Sequence, residues 1–107
     1  MKLATTETIS GYRITATLGV VNGNVVRSKH LGRDIMAGLK TIIGGEIKGY
    51  TEMLTEARQI AIDRMIANAE MLDADAIVNV RFTTSAIMQG MSEMLAYGTA
   101  VKLTKAD

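Results

Sequence analysis

Apolar residues recur at helical spacing through the middle of this chain and alternate singly towards both ends. Leu31, Ile35, Met36, Leu39, Ile42 and Ile43 fall on one side of a helical projection, with Arg33, Asp34, Lys40 and Thr41 on the other. Gly44 and Gly45 follow, and Gly49 comes shortly after. Glycine reaches positive φ without steric cost, so this spacing predicts a helix, a corner and a second helix. The second stripe runs through Met53, Leu54, Ala57, Ile60, Ala61, Met65, Met71 and Leu72, opposite Glu52, Glu56, Gln59, Asp63 and Glu70. Over residues 50–72 this helix would be about 34 Å long. Ile62 and Ile66 flank its polar face, whereas Arg64 and Asn68 interrupt its apolar stripe. A second contact surface between subunits explains that pattern. The competing reading makes the isoleucines scattered surface residues and lets Arg64 lie along its own stem.

Strand periodicity brackets the helices. Residues 2–6 read as a short strand or an extended arm, and Ser10-Gly11 as a turn. Ile14, Ala16, Leu18 and Val20 then alternate with Arg13, Thr15, Thr17 and Gly19. Asn22-Gly23 is a strong hairpin signal, although a continuous strand bent by a bulge at Gly19 or Gly23 fits nearly as well. Asp73-Ala74-Asp75 turns the chain out of the long helix, and Ala76, Val78, Val80 and Phe82 alternate after it. Residues 85–93 read as a polar, methionine-rich connection. In the last strand Leu95, Tyr97, Thr99, Val101 and Leu103 share one face, and the small residues Ala96, Gly98 and Ala100 share the other. The sum is a single α+β domain over residues 1–107. Its small antiparallel sheet of about three main strands is covered on one face by two consecutive helices.

Composition narrows the chemistry. The chain lacks cysteine, so disulfides, thiolate nucleophiles and cysteine-based zinc sites are excluded. A net charge of +1 with dispersed basic residues offers no electrostatic footprint for nucleic acid or an anionic membrane. No apolar run approaches the length of a membrane span. The first residues lack the apolar stretch of a signal peptide, and the expected compartment is the cytoplasm.

Three sets of residues carry possible chemistry. Gly44, Gly45, Lys48 and Gly49 precede a helix start, with Arg33 and Lys40 close in sequence, and could bind an anion or small ligand. The same glycines serve equally as a plain corner between helices. Met88, Met91 and Met94 repeat every three residues, and thioethers suit a soft ion such as Cu(I). Methionines also fill interface gaps. His30 and Asp34 lie one helical turn apart and could share a metal ion, or form an ordinary hydrogen-bonded or exposed pair. No nucleophile–base constellation or phosphate-binding loop is present, which points away from an enzyme and calls for no cofactor.

The ordered set Thr5-Thr6, Gly19-Val20-Val21 with Gly23, Arg33-Asp34, Ala37-Gly38, Ile43-Gly44-Gly45, Gly49-Tyr50, Glu52, Ala57-Arg58, 74–78 and Gly98-Thr99-Ala100-Val101 resembles the YbjQ-like family. These small bacterial proteins are named for heavy-metal binding. The resemblance implies a dodecin-like β-α-β-β subunit with a three-stranded antiparallel sheet, and a homopentameric ring. It implies no established activity. The segment Glu46-Ile47-Lys48-Gly49 departs from the family pattern, in which a Ser or an Ala commonly sits between the glycine pair and the tyrosine. The functional expectation is an uncharacterised homo-oligomer that binds a small ligand or anion where subunits meet, with metal-ion binding as the alternative.

Overall fold

The computed structural model describes residues 1–28, 42–43 and 46–107. Its elements are β1 (Lys2–Leu3), β2 (Tyr12–Ser28), β3 (Ile42–Ile43), β4 (Glu46–Ile47), α1 (Lys48–Met71), β5 (Ala76–Met88) and β6 (Met91–Lys105). Four strands form one mixed sheet in the order β1-β5-β6-β2, and β3 pairs with β4 as a separate two-stranded ribbon. The β1–β5 pairing is parallel; the β5–β6 and β6–β2 pairings are antiparallel.

This corrects the predicted layout of two helices over a three-stranded antiparallel sheet. One helix lies among the described residues, and the sheet has four strands. Ile42 and Ile43, expected to end a first helix, are strand residues opposite Ile47 and Glu46. A short apolar pair fits helical and strand spacing alike, so periodicity alone could not separate them. The rest of that predicted helix lies outside the described residues. The long helix starts two residues earlier than expected, so Lys48 and Gly49 belong to α1, and the expected corner at Gly44-Gly45 lies outside the described residues.

Asn22-Gly23 is not a hairpin turn. β2 runs continuously past it and bends through register shifts between Ile14 and Ala16 and between Thr17 and Gly19, as the bulged alternative expected. Gly19 has φ +136°, open only to glycine in practice. Gly23 serves a different purpose. The α1 backbone from Ala61 to Met65 crosses directly above it, in the space that a Cβ would need. The supposed connection at residues 85–93 is also strand. β5 and β6 continue to a two-residue turn at Gln89-Gly90, where Gly90 has φ +75°.

The small-residue face of β6 receives α1. Ala57, Ala61, Met65 and Ala69, spaced four apart, are buried against Val21, Val25, Ala96 and Ala100. Alanines on both surfaces let helix and sheet approach closely. A second cluster, Ala76, Val78 and Val101, forms on the opposite sheet face, closed by Ile9, Ile14 and Leu103. α1 ends in a Schellman motif. Ala74 N–H donates to Ala69 O at 3.1 Å, and Asp73 adopts φ +60° at the position where glycine is common. The chain is elongated, 56 × 26 × 16 Å, because the β2–β6–β5 sheet projects beyond both clusters.

Candidate functional site

Most of the residues singled out for ligand or metal binding, His30, Arg33, Asp34, Lys40, Gly44 and Gly45, lie outside the described residues. Lys48 opens α1 and Gly49 is half-buried in its first turn. Among the described residues no group of three His, Asp or Glu side chains could hold a metal ion.

The three methionines are split by the sheet. Met88 stands opposite Met91 across the β5–β6 turn. Met94 is three residues from Met91, so it points to the other face; it is buried, and the Thr84 hydroxyl donates to its sulfur at 3.5 Å. The structure therefore brings two thioethers together at the hairpin tip and places the third in the core.

The four residues that disturbed the helical stripe have described surroundings in one chain. Arg64 Nη1 donates to Asn24 O at 2.6 Å, and Asn68 Nδ2 donates to Asn22 O at 2.7 Å. These carbonyls belong to β2, an outer strand whose far edge has no strand beside it among the described residues. Polar side chains one turn apart thus reach around the helix flank and satisfy the exposed edge. Ile66 is half-buried against the main core, and Ile62 is half-buried.

The opposite edge of the sheet divides in two. Near its start β5 is covered, as Ala4 N–H donates to Ile77 O and Val80 N–H donates to Ala4 O, both at 3.0 Å. Arg81 closes this segment by donating to Thr5 O at 2.8 Å. At the entrance to β5 the Leu103 N–H donates to Asp75 Oδ2 at 2.8 Å. That bond, joined by the Lys102 ammonium and opposed by desolvation, holds the Asp75 carboxyl below the usual carboxylate range. From Phe82 onward β5 has β6 on one side and, among the described residues, no strand on the other. Phe82, Ile87 and Met88 are 43%, 50% and 61% exposed there. This bare distal edge was missed by sequence reasoning, although an uncharged run from Phe82 to Met88 was its available signal.

No helix among the described residues is long and apolar enough to cross a membrane.

Comparison with known proteins places these features in a family. A family model described as "Putative heavy-metal-binding" matches residues 1–104. A UPF0145 protein of Photobacterium profundum is 73% identical over 96% of this chain and 100% of its own length. A UPF0145 protein of Thermotoga maritima is 64% identical over 98% of this chain and 99% of its own. The fold is similar to a crystal structure of a protein of unknown function, of the DUF74 family, from Pediococcus pentosaceus. That likeness has a TM-score of 0.62 at 19% identity and covers 97% of this chain and 98% of the other. The match along almost the whole chain, together with relatives of the same length, means that this chain belongs to the YbjQ-like, UPF0145 family.

Proposed function

We propose that the protein works as a closed homo-oligomer that holds a small ligand or anion where subunits meet, in the cytoplasm and without nucleic-acid or membrane partners. The observation that carries this reading is exposed apolar surface: Val20 and Val26 on β2 and Phe82, Ile87 and Met88 on β5 stand exposed on one chain, and apolar surface of that kind marks contact with a partner. The resemblance to the family suggests five copies.

Light scattering at micromolar concentration tests the assembly. A mass several times 11.5 kDa, nearest five copies, is expected. A single-chain mass at every concentration overturns it. Retention of a small ligand is read on the same sample by native mass spectrometry.

The pair Met88 and Met91 favours a second reading, metal-ion binding by a soft ion. Two opposed thioethers suit Cu(I) and do not suit Zn(II), which takes thiolate, imidazole and carboxylate ligands. Cu(I) retained by the wild type and lost in Met88→Leu with Met91→Leu supports it. Submicromolar zinc binding abolished by His30→Ala contradicts it.

A further inference from the structure

We infer that Asn22, Tyr97 and Arg81 form a binding site for a small oxyanion, a carboxylate or a phosphate, on the sheet face opposite α1. This rests on the proposal that the protein holds a small ligand or anion, and names the residues that take it.

Register brings the three side chains together. Tyr97 stands opposite Asn22 on β2 and opposite Arg81 on β5, so one row crosses three strands. Ala96 and Ala100 on β6 pack against α1. Tyr97, at an alternate position between them, therefore faces the other way. Asn22 and Arg81 are exposed, and Tyr97 is exposed as well. The row spans two strand spacings, about 10 Å, the reach of a small organic anion.

A bulge aims the arginine. β5 sets Asn79 and Val80 against the single Gly98, and Asn79 takes φ +55°, a conformation asparagine tolerates better than most side chains. Bulges of this kind re-aim the side chains beside them. Arg81 Nη1 donates to Thr5 O at 2.8 Å and to Val80 O at 3.0 Å. Those bonds fix the guanidinium and leave Nε and Nη2 unspent among the described residues. The remaining fork matches the paired oxygens of a carboxylate or phosphate.

Charge selects an anion. Among the described residues the ion pairs belong to Arg27 and Lys102, so Arg81 is not neutralised by a carboxylate. Glu93, on the same face of β6, is about 13 Å along the strand from Tyr97 and is engaged by Asn24. Asn22 spends its backbone carbonyl on Asn68, which leaves its amide beside the Tyr97 hydroxyl as a further donor. A cation would find no carboxylate in this row.

Chemical-shift titration of the ¹⁵N-labelled protein with inorganic phosphate, and separately with benzoate, tests the site. At least one anion should move the Arg81 Nε–H signal and the amides of Asn22 and Tyr97. Tighter binding of phosphate assigns the ligand to phosphates, and tighter binding of benzoate assigns it to carboxylates. Arg81→Gln should weaken binding about tenfold. Tyr97→Phe, which keeps the Arg81–Thr5 bond, should weaken it about threefold and carries the reading if Arg81→Gln unfolds. Arg58→Gln makes the same charge change at an exposed position of α1 and should bind as the wild type does. Wild-type binding that neither site variant alters, or that Arg58→Gln weakens equally, overturns this site and leaves the proposed ligand binding standing. A wild type that binds neither anion overturns both the site and the anion reading.

Discussion

The two edges of the main sheet are treated in opposite ways. On β2 the chain spends side chains on protection. Arg64 and Asn68 reach over from α1 to the carbonyls of Asn24 and Asn22, and two bulges bend the strand. On distal β5 the one irregularity lies at the tip, between Ala86 and Met88, and no side-chain hydrogen bond to its backbone is seen among the described residues. One chain therefore guards one edge with its own side chains and leaves the distal part of the other without a strand beside it among the described residues. Burial is unequal as well. The β2 side carries the helix and the larger core yet leaves Val20 and Val26 exposed, whereas the distal β5 side carries exposed Phe82 and Ile87 with little buried beside them.

The strongest way to break the guarded side is at its closest approach. Gly23→Val would force a branched side chain into the α1 backbone near Ala61 and Met65. Chemical denaturation should show a loss of about 3 kcal/mol or more. An unchanged midpoint would mean that α1 does not lie on β2 as described.

Removing the guards is milder. Arg64→Ala and Asn68→Ala each lose one hydrogen bond to a β2 carbonyl that water can partly replace. Each should cost about 1 kcal/mol in denaturant melts. The double variant should also aggregate faster at high concentration, since β2 then resembles β5. If it stays soluble and equally stable, the contrast between the edges has another origin.

The turn after α1 sharpens the account with a smaller gain. Asp73 adopts φ +60°, and its ion pair with Lys102 is made by a fully accessible carboxylate, so the side chain contributes little. Asp73→Gly should stabilise the chain by about 0.5–1 kcal/mol, visible as a higher melting temperature. A fall would show that the side chain matters more than the backbone strain.

The smallest effect concerns the covered start of β5. Asp75 accepts the Leu103 N–H, and its folded-state pKa lies below the unfolded value. Its contribution is therefore present above an unfolded pKa of about 3.9 and lost as pH falls through the lowered folded value. In Asp75→Asn the drop in stability between about pH 6 and about pH 3 should shrink. Equal acid sensitivity in both proteins would rule that contribution out.

Much of this fold was legible where one face is buried. The four-residue spacing of Ala57, Ala61, Met65 and Ala69 and the alternation after Asp75 specify α1 and β5. β1 was only half visible because two residues carry no period, and its parallel pairing joins distant segments. Ile42-Ile43 was misread because a short apolar pair suits either period. Asn22-Gly23 misled by composition. The glycine is required for helix approach, a property of a residue distant in sequence, and not for a turn. Distal β5 was misread as a connection because neither of its faces is well buried, so alternation fades there. For the candidate site, Arg64 and Asn68 were conspicuous in the sequence, but their acceptors are backbone carbonyls, which leave no mark on it. The anion-site glycines and His30 fall outside the described residues, and the family match adds no ligand to them.

Residue-resolved hydrogen exchange tests the central contrast most directly. Alternate amides of an edge strand point away from its partner and are protected only where something else accepts them. In dilute protein the Asn79 and Val80 amides, bonded to Thr6 O and Ala4 O, should exchange slowly, and the outward amides from Phe82 to Met88 quickly. Slow exchange of that distal set in dilute protein would contradict the account.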